Sequence, residues 1–259
     1  MAKKKETGTA LVNWDEELAK YAKESTAGIK ESGNGKFLSF RGGNMTFNGE
    51  DIPDSELECV IVGWTHHNTF YNPKERYDPK NPQTPICYSF GTDEDLMEPH
   101  NDSPDKQCGS CAECPFNQFE SAKNGPGKAC KNTFRVALIA ASELNDVENA
   151  EVVYASIPPK SLKNFANYLK KEIGGKLNRP FWSVITTMTC EPDSQSQFKV
   201  LFKCSEVIKD NKLFQPLKDK WEETMEGIEF PYPVKVAEKK SSKKETAKKP
   251  VTKNKFSRK

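Results

Sequence analysis

The sequence has no run of the roughly 18 apolar residues that a membrane-spanning helix requires. Its first residues, Met1-Ala2-Lys3-Lys4-Lys5-Glu6, have no apolar stretch of the kind a secretory signal carries. A membrane protein is thereby excluded, and a reducing cytoplasm is the expected compartment. Histidine is scarce, at three in 259 residues. The phrases that announce common enzymes are missing as well: there is no Gly-x-x-x-x-Gly-Lys-[Ser/Thr] phosphate loop, no Gly-x-Ser-x-Gly elbow, no Gly-x-Gly-x-x-Gly after a strand, and no His-x-Glu or His-Glu-x-x-His zinc phrase. The adjacent pair His66-His67 lies in an extended segment, where neighbouring side chains point to opposite faces and cannot share one reaction. No enzyme is expected.

The chain is 35% hydrophobic, with a mean hydropathy of −0.77. This leaves room for one large domain or two small ones and a polar remainder. Its net charge of +2 conceals a split. Residues 235–259 hold eleven Lys and Arg against Glu238 and Glu245, a net of +9, which leaves −7 for everything else. The positive charge needed to meet a polyanion must therefore be placed locally. From Lys239 to Lys259 there are almost no apolar residues besides Val251 and Phe256, so residues 231–259, beginning at Pro231-Tyr232-Pro233, are expected to be a disordered tail. Residues 1–12 are expected to be equally loose, with one domain over 13–230.

Within that domain, Leu18, Tyr21 and Ala22 share one face of an expected helix over 13–22. Strands are expected at 36–41 and 44–47 around Gly42-Gly43, with a turn at Asn48-Gly49, and at 58–64, 134–140, 151–156, 181–190 and 197–203, the last two joined by Glu191-Pro192-Asp193-Ser194. Residues 66–131 read as a long irregular stretch. Pro158-Pro159 opens a helix carrying Leu162, Phe165, Ala166, Leu169 and Ile173 at helical spacing, with Gly174-Gly175 as its stop, and a last helix is expected at about 211–226. The pattern predicts a mainly β fold with some helix, an antiparallel meander of short strands interrupted by one cysteine-rich insertion at about 85–131.

Eight cysteines in a reducing compartment point to metal ligands or core residues rather than disulfides. Cys108-Gly-Ser-Cys111-Ala-Glu-Cys114-Pro115 and, further on, Gly125-Pro-Gly-Lys-Ala-Cys130 fit a tetrahedral structural zinc: a Cys-x-x-Cys turn supplies two thiolates, and a cysteine about 15 residues on closes the site. Such a polar segment also needs a staple, which zinc provides. Cys111, Cys114 and Cys130 are the expected ligands, with Cys108, Cys87 or His100 as the fourth. An iron–sulfur cluster fits the same spacing less well. Cys59, Cys190 and Cys204 lie in or beside apolar strands and are expected to pack as small core residues.

Aromatic rings crowd the first strands, with Lys36, Arg41, Lys74 and Arg76 among them. Rings on a small sheet interleaved with cations suit a sequence-tolerant single-strand binder, in which rings stack bases and cations meet phosphates. Phe37, Phe47 and Trp64 are expected in the core. Phe40-Arg41, Phe70-Tyr71 and Arg76-Tyr77 are expected on the surface, and Lys128, Lys131 and Arg135 place a second positive patch around Cys130.

Three phrases, Phe40-Arg41-Gly42-Gly43, Pro85-Ile86-Cys87-Tyr88-Ser89, and Cys111-Ala-Glu-Cys114-Pro-Phe-Asn117 with Gly127-Lys128-Ala129-Cys130-Lys131-Asn132, resemble a family of phage-encoded single-stranded-DNA-binding proteins over about residues 36–203. The resemblance implies an OB-fold-like antiparallel barrel with a zinc-bearing insertion, a DNA site in the barrel groove, and Cys87 as the fourth ligand. It further implies single-stranded DNA as partner in phage DNA replication or recombination, replication proteins as further partners, and the host cytoplasm as location. Proteins of this type often end in an acidic tail that competes with DNA. Here the tail is basic and is expected to add non-specific contacts, with acidic stretches such as Asp93-Glu94-Asp95 and Glu222-Glu223 in the competing role. The competing expectation is a zinc-ribbon interaction protein that docks on a polymerase or transcription complex through the module around Cys111 and Cys114.

Overall fold

The computed structural model describes residues 37–75, 78 and 83–232. The helix expected over 13–22, the N-terminal residues and the basic segment from 233 onward lie outside them. Phe37–Arg41 (β1) and Asn44–Phe47 (β2) pair antiparallel across Gly42 and Gly43. Both glycines have positive φ (60° and 91°), the conformation a tight two-residue hairpin turn demands. The two residues Glu50–Asp51 (β3) extend this hairpin after the turn at Asn48-Gly49.

The spine of the molecule is Glu56–Phe70 (β4), a strand of 15 residues. Its first residues pair with Val184–Asp193 (β8), its last with Cys87–Gly91 (β5), and Lys131–Ala140 (β6) runs along most of its other edge. The register slips between Ile61 and Gly63, a bulge that bends the strand and turns it toward a new partner. With Val153–Ile157 (β7) and Gln197–Val207 (β9), the order is β3-β2-β1-β7-β6-β4-β8-β9, with β5 on the second half of β4. The whole is a mainly β chain whose sheet curls into a half-barrel with few helices.

Apolar residues alternate between the two faces, as the pleat requires. One face buries Ile61, Val136, Leu138, Ala155 and Met188 beneath a helix that starts at Leu162–Asn167 (α1) and continues as a π-helix over Tyr168–Leu177. The other buries Val60, Val62, Ala137 and Ile139 beneath Asn211–Gly227 (α2). Polar side chains of the first helix also seal the free edge of β9: Ser161 Oγ accepts from Val200 N at 2.8 Å, Asn164 Nδ2 donates to Val200 O at 3.1 Å, and Glu172 Oε1 accepts from Cys204 N at 3.3 Å. An edge covered in this way offers no template to another strand. Among the described residues no helix is long and apolar enough to cross a membrane.

Several expectations are corrected. The stretch from His66 is not irregular: β4 continues to Phe70 and β5 follows, because the polar side chains there find buried partners. The sheet is mixed, since β1 pairs β7 in parallel (Phe37↔Tyr154, Leu38↔Ala155); the long excursion between β2 and β7 removes any need for antiparallel return. Gly174-Gly175 lies inside the π-helix, which ends at Asn178 in the left-handed region (φ 51°), its N–H bonded to Ile173 O. Residues Phe181–Ser183 form a 3-10 turn, and β8 runs through to Asp193. Phe37, Phe47 and Trp64 are half-buried rather than sealed in the core, and Cys204 is half-buried, whereas Cys59 and Cys190 are buried as expected.

At Gly63 side chains of α2 pack directly on the backbone of β4. A Cβ there would lie 3.0 Å from Thr224 Cγ2 and 3.3 Å from Met225 Sδ. Gly63→Val should therefore overpack this contact and destabilise the fold by about 1–3 kcal/mol, read as a lower urea midpoint, while Gly49→Val, beside which no atom lies within 4 Å, serves as a comparison in which only backbone strain acts.

Candidate metal centre and aromatic–basic surface

Five cysteines meet at one end of β4. Cys87 begins β5, Cys130 immediately precedes β6, and Cys108, Cys111 and Cys114 come from the connection between those strands, which contains only short 3-10 turns. All five line one cavity of about 20 Å³, together with Asn68, Ser89, Phe116 and Asn117. That is room for about one water-sized occupant. None of the cysteines is in a disulfide.

The backbone holds this arrangement through Cys111 N donating to Met97 O (2.9 Å), Cys130 N to Phe116 O (2.7 Å) and Asn117 N to Cys114 O (2.9 Å). An asparagine network braces it: Asn117 Nδ2 donates to Cys111 O at 2.7 Å, and Asn132 Nδ2 donates to Asn117 Oδ1 at 2.9 Å and also to Asn68 Oδ1. Beneath the thiols, Phe70 stacks on Phe116 with centroids 4.4 Å apart. Cys111 Sγ donates to Ser89 Oγ (3.2 Å) and Cys108 Sγ to Ser110 O (3.0 Å).

Burial first, and then the neighbouring thiols Cys111, Cys114 and Cys87, push the Cys130 thiol up to about 12, with Lys128 acting the other way. Cys108 is pushed up to about 12 by burial and then by Cys114. Cys87 and Cys111 are raised as well, again chiefly by burial. This is a set of soft sulfur donors that repel one another once ionised, the chemistry that a divalent cation relieves by displacing the protons. Among the described residues no three or more His, Cys, Asp or Glu side chains are grouped closely enough to hold a metal ion as they stand; the thiols share a cavity rather than a formed coordination shell. Both candidates for the fourth position, Cys87 and Cys108, line that cavity. His100 does not line it: its ring stacks on Tyr88 at 5.0 Å.

The nucleic-acid candidates separate. Lys131 Nζ lies 5.5 Å from the centroid of Tyr71, and Lys128 Nζ lies 5.4 Å from that of Phe119. Phe119 is 76% exposed, which the sequence does not reveal, since Phe116 three residues earlier is half-buried. Phe40 is half-buried, packed on the core 6.4 Å from Phe198. Phe70 is buried, contrary to expectation, because it floors the cysteine cavity. Lys36, Arg76, Tyr77 and the side chain of Arg41 lie outside the described residues.

Arg135 is also buried, at 2% exposure, and offers no charge to the surface. Its guanidinium is sandwiched between Phe90 (4.3 Å) and Phe230 (4.0 Å), and Nη1 donates to Ile228 O (3.0 Å) and Phe230 O (3.1 Å). It thereby ties residues 228–232 across the outer face of the sheet. Next to it, His67 stacks on Phe90 (4.7 Å) and lies between that ring and Tyr232, whose hydroxyl is 3.2 Å from Nε2. His66 points the other way, toward Trp64 and Phe134, so the two histidines do occupy opposite faces.

Burial, aided by Arg135, lowers His67 to about 3. An unfolded chain protonates it near 6.5, so below that pH the unfolded state binds more protons. The stability that neutral His67 brings is whole above about pH 6.5 and falls as pH drops toward 3, by at most about 1.4 kcal/mol per pH unit. Urea unfolding at pH 7 and pH 5 should show this loss in the native chain and a smaller one in His67→Gln; equal losses in both would assign the acid sensitivity elsewhere.

No family model matches the chain, and neither the curated proteins nor the solved structures include a match.

Proposed function

We propose that the chain binds single-stranded DNA without sequence preference, through lysine–aromatic pairs on the rim of a zinc-stapled cysteine module carried by an OB-fold-like half-barrel. The observation that carries this reading is the pairing of Lys128 with Phe119 and of Lys131 with Tyr71 on either side of Cys130. A ring beside a cation is the unit that stacks a base while meeting its phosphate, and it tolerates any base because every base has a π face. Zinc would be held by Cys111, Cys114 and Cys130 with Cys87 or Cys108; bound, it would cross-link the segment from which Lys128 and Phe119 project. The setting implied by the resemblance is phage DNA replication or recombination in the host cytoplasm. The curled mixed sheet is compatible with an OB-like barrel.

A second reading has its own observation. Leu96 is 77% exposed and is followed by Met97, whose carbonyl holds Cys111. An aliphatic side chain stacks no base, so it favours docking of a protein on the same module.

Titration of a fluorescent oligonucleotide separates these readings. Phe119→Ala should weaken single-strand binding by about 1–3 kcal/mol, roughly 5- to 150-fold, and Lys128→Ala or Lys131→Ala should each reduce the slope of log K against log salt by about 0.7. Leu96→Ser should leave both unchanged. Equal affinity for duplex and single strand would refute the stacking mechanism.

Metal analysis of the purified chain should find one zinc ion, lost in Cys111→Ser, Cys114→Ser and Cys130→Ser. Of Cys87→Ser and Cys108→Ser, only the variant of the true fourth ligand should lose it. A chain that retains no zinc after folding in its presence would end the metal reading while leaving the oligonucleotide test standing.

A further inference from the structure

At the end of the sheet opposite to the cysteines lies a cavity of about 370 Å³. Its floor is apolar, formed by Leu38, Phe47, Leu57 and Leu138. Glu50, Asp51, Glu143 and Glu151 also line it, and no lysine or arginine does. These carboxylates come from three places in the chain: β3, the turn after β6, and the approach to β7. The cavity would repel a phosphate and accept an apolar group flanked by cations.

We propose that this cavity docks residues 253–259 of the same chain, with the Phe256 ring on the apolar floor and Lys253, Lys255, Arg258 and Lys259 facing the carboxylates. Phe256 is one of only two apolar residues after Lys239 that exceed alanine in size and are not proline, and four cations lie within three residues of it. The stems of those lysines can lie along the cavity walls while their ammonium groups reach the acidic rim. The distance is easily spanned: the 21 residues from Tyr232 to Lys253 reach about 70 Å when extended, against roughly 40 Å for a folded body of this size. The undescribed N-terminal segment, residues 1–36, carries seven lysines against six acids, so it has no charge complementarity to offer. This proposal does not depend on single-strand binding.

Carbodiimide coupling, which joins an amine to a carboxylate only when they touch, tests it on the full chain in an equal mixture of unlabelled and ¹⁵N-labelled protein. Mass spectrometry should find Lys253, Lys255 or Lys259 joined to Glu50, Asp51, Glu143 or Glu151 within single chains. Phe256→Ser should reduce that product roughly tenfold, the loss expected from withdrawing one phenylalanine ring from an apolar site. About 1 M salt, which shortens the Debye length to about 3 Å, should reduce it too. Coupling spread equally over other exposed carboxylates such as Asp93, Glu94 and Glu222, no effect of Phe256→Ser, or mixed-label pairs at the frequency of random pairing would each overturn the proposal.

Discussion

Everything in this structure hangs on the pairing of β4. A strand of 15 residues spans about 50 Å at the usual rise, and it is satisfied by β6 along most of one edge and by β8 and then β5 along the other. The handover needs a bend, and the register slip at Ile61/Gly63 supplies it. Before the bend, β4 builds the two-faced apolar core. Beyond it, the same strand supplies Asn68 and Phe70 to the wall of the cysteine cavity and Thr65 and His67 to the anchorage of residues 228–232. The site is therefore an extension of the core's backbone ladder rather than a separate body attached to it.

The segment between β5 and β6 pays least for its order through apolar burial. Its buried hydrophobic side chains are Met97, Cys111, Cys114 and Cys130, while each residue fixed into one conformation loses backbone entropy. Hydrogen bonds carry more of the load there. Asn117 alone accepts from Asn132 and donates to the Cys111 carbonyl, linking strand β6 to the turn that presents two of the thiols. Such a network holds a fold in place but contributes little net free energy for each bond. Convergence of five thiols at the centre of an otherwise weakly stapled segment is the physical argument for a metal: zinc binding is folding free energy where a core is too small to supply it.

That Cys111, Cys114 and Cys130 line one cavity was legible in their spacing, because a Cys-x-x-Cys turn keeps its two side chains together wherever it is placed. The apolar strands were legible from their alternation. What escaped was polar burial. His67, Asn68 and Thr69 read as loop, since nothing in the sequence reveals that Tyr232 and Asn132 come from afar to satisfy the first two of them. Arg135 escaped for a different reason. Its chemistry suggests a surface cation, yet it shares strand parity with Ala137 and Ile139, both buried under α2, and a period of two places it inside. Phe70 was judged by its neighbour Tyr71, although adjacent strand residues face opposite ways.

Arg135 also changes the meaning of the charge split. The −7 of the chain outside residues 235–259 counts it as a surface cation, but its guanidinium is spent on two carbonyls and two ring faces. The accessible surface of the folded body is thus more acidic than the sequence arithmetic states. A polyanion approaching it meets a net acidic body, so any attraction must be local and must lean on contact with rings, which salt does not screen. The lysine-rich segment faces the converse situation. Tethered to an acidic body, it is held at high effective concentration beside carboxylates, and the place where those carboxylates surround an apolar floor is the place where one phenylalanine among cations gains most by settling.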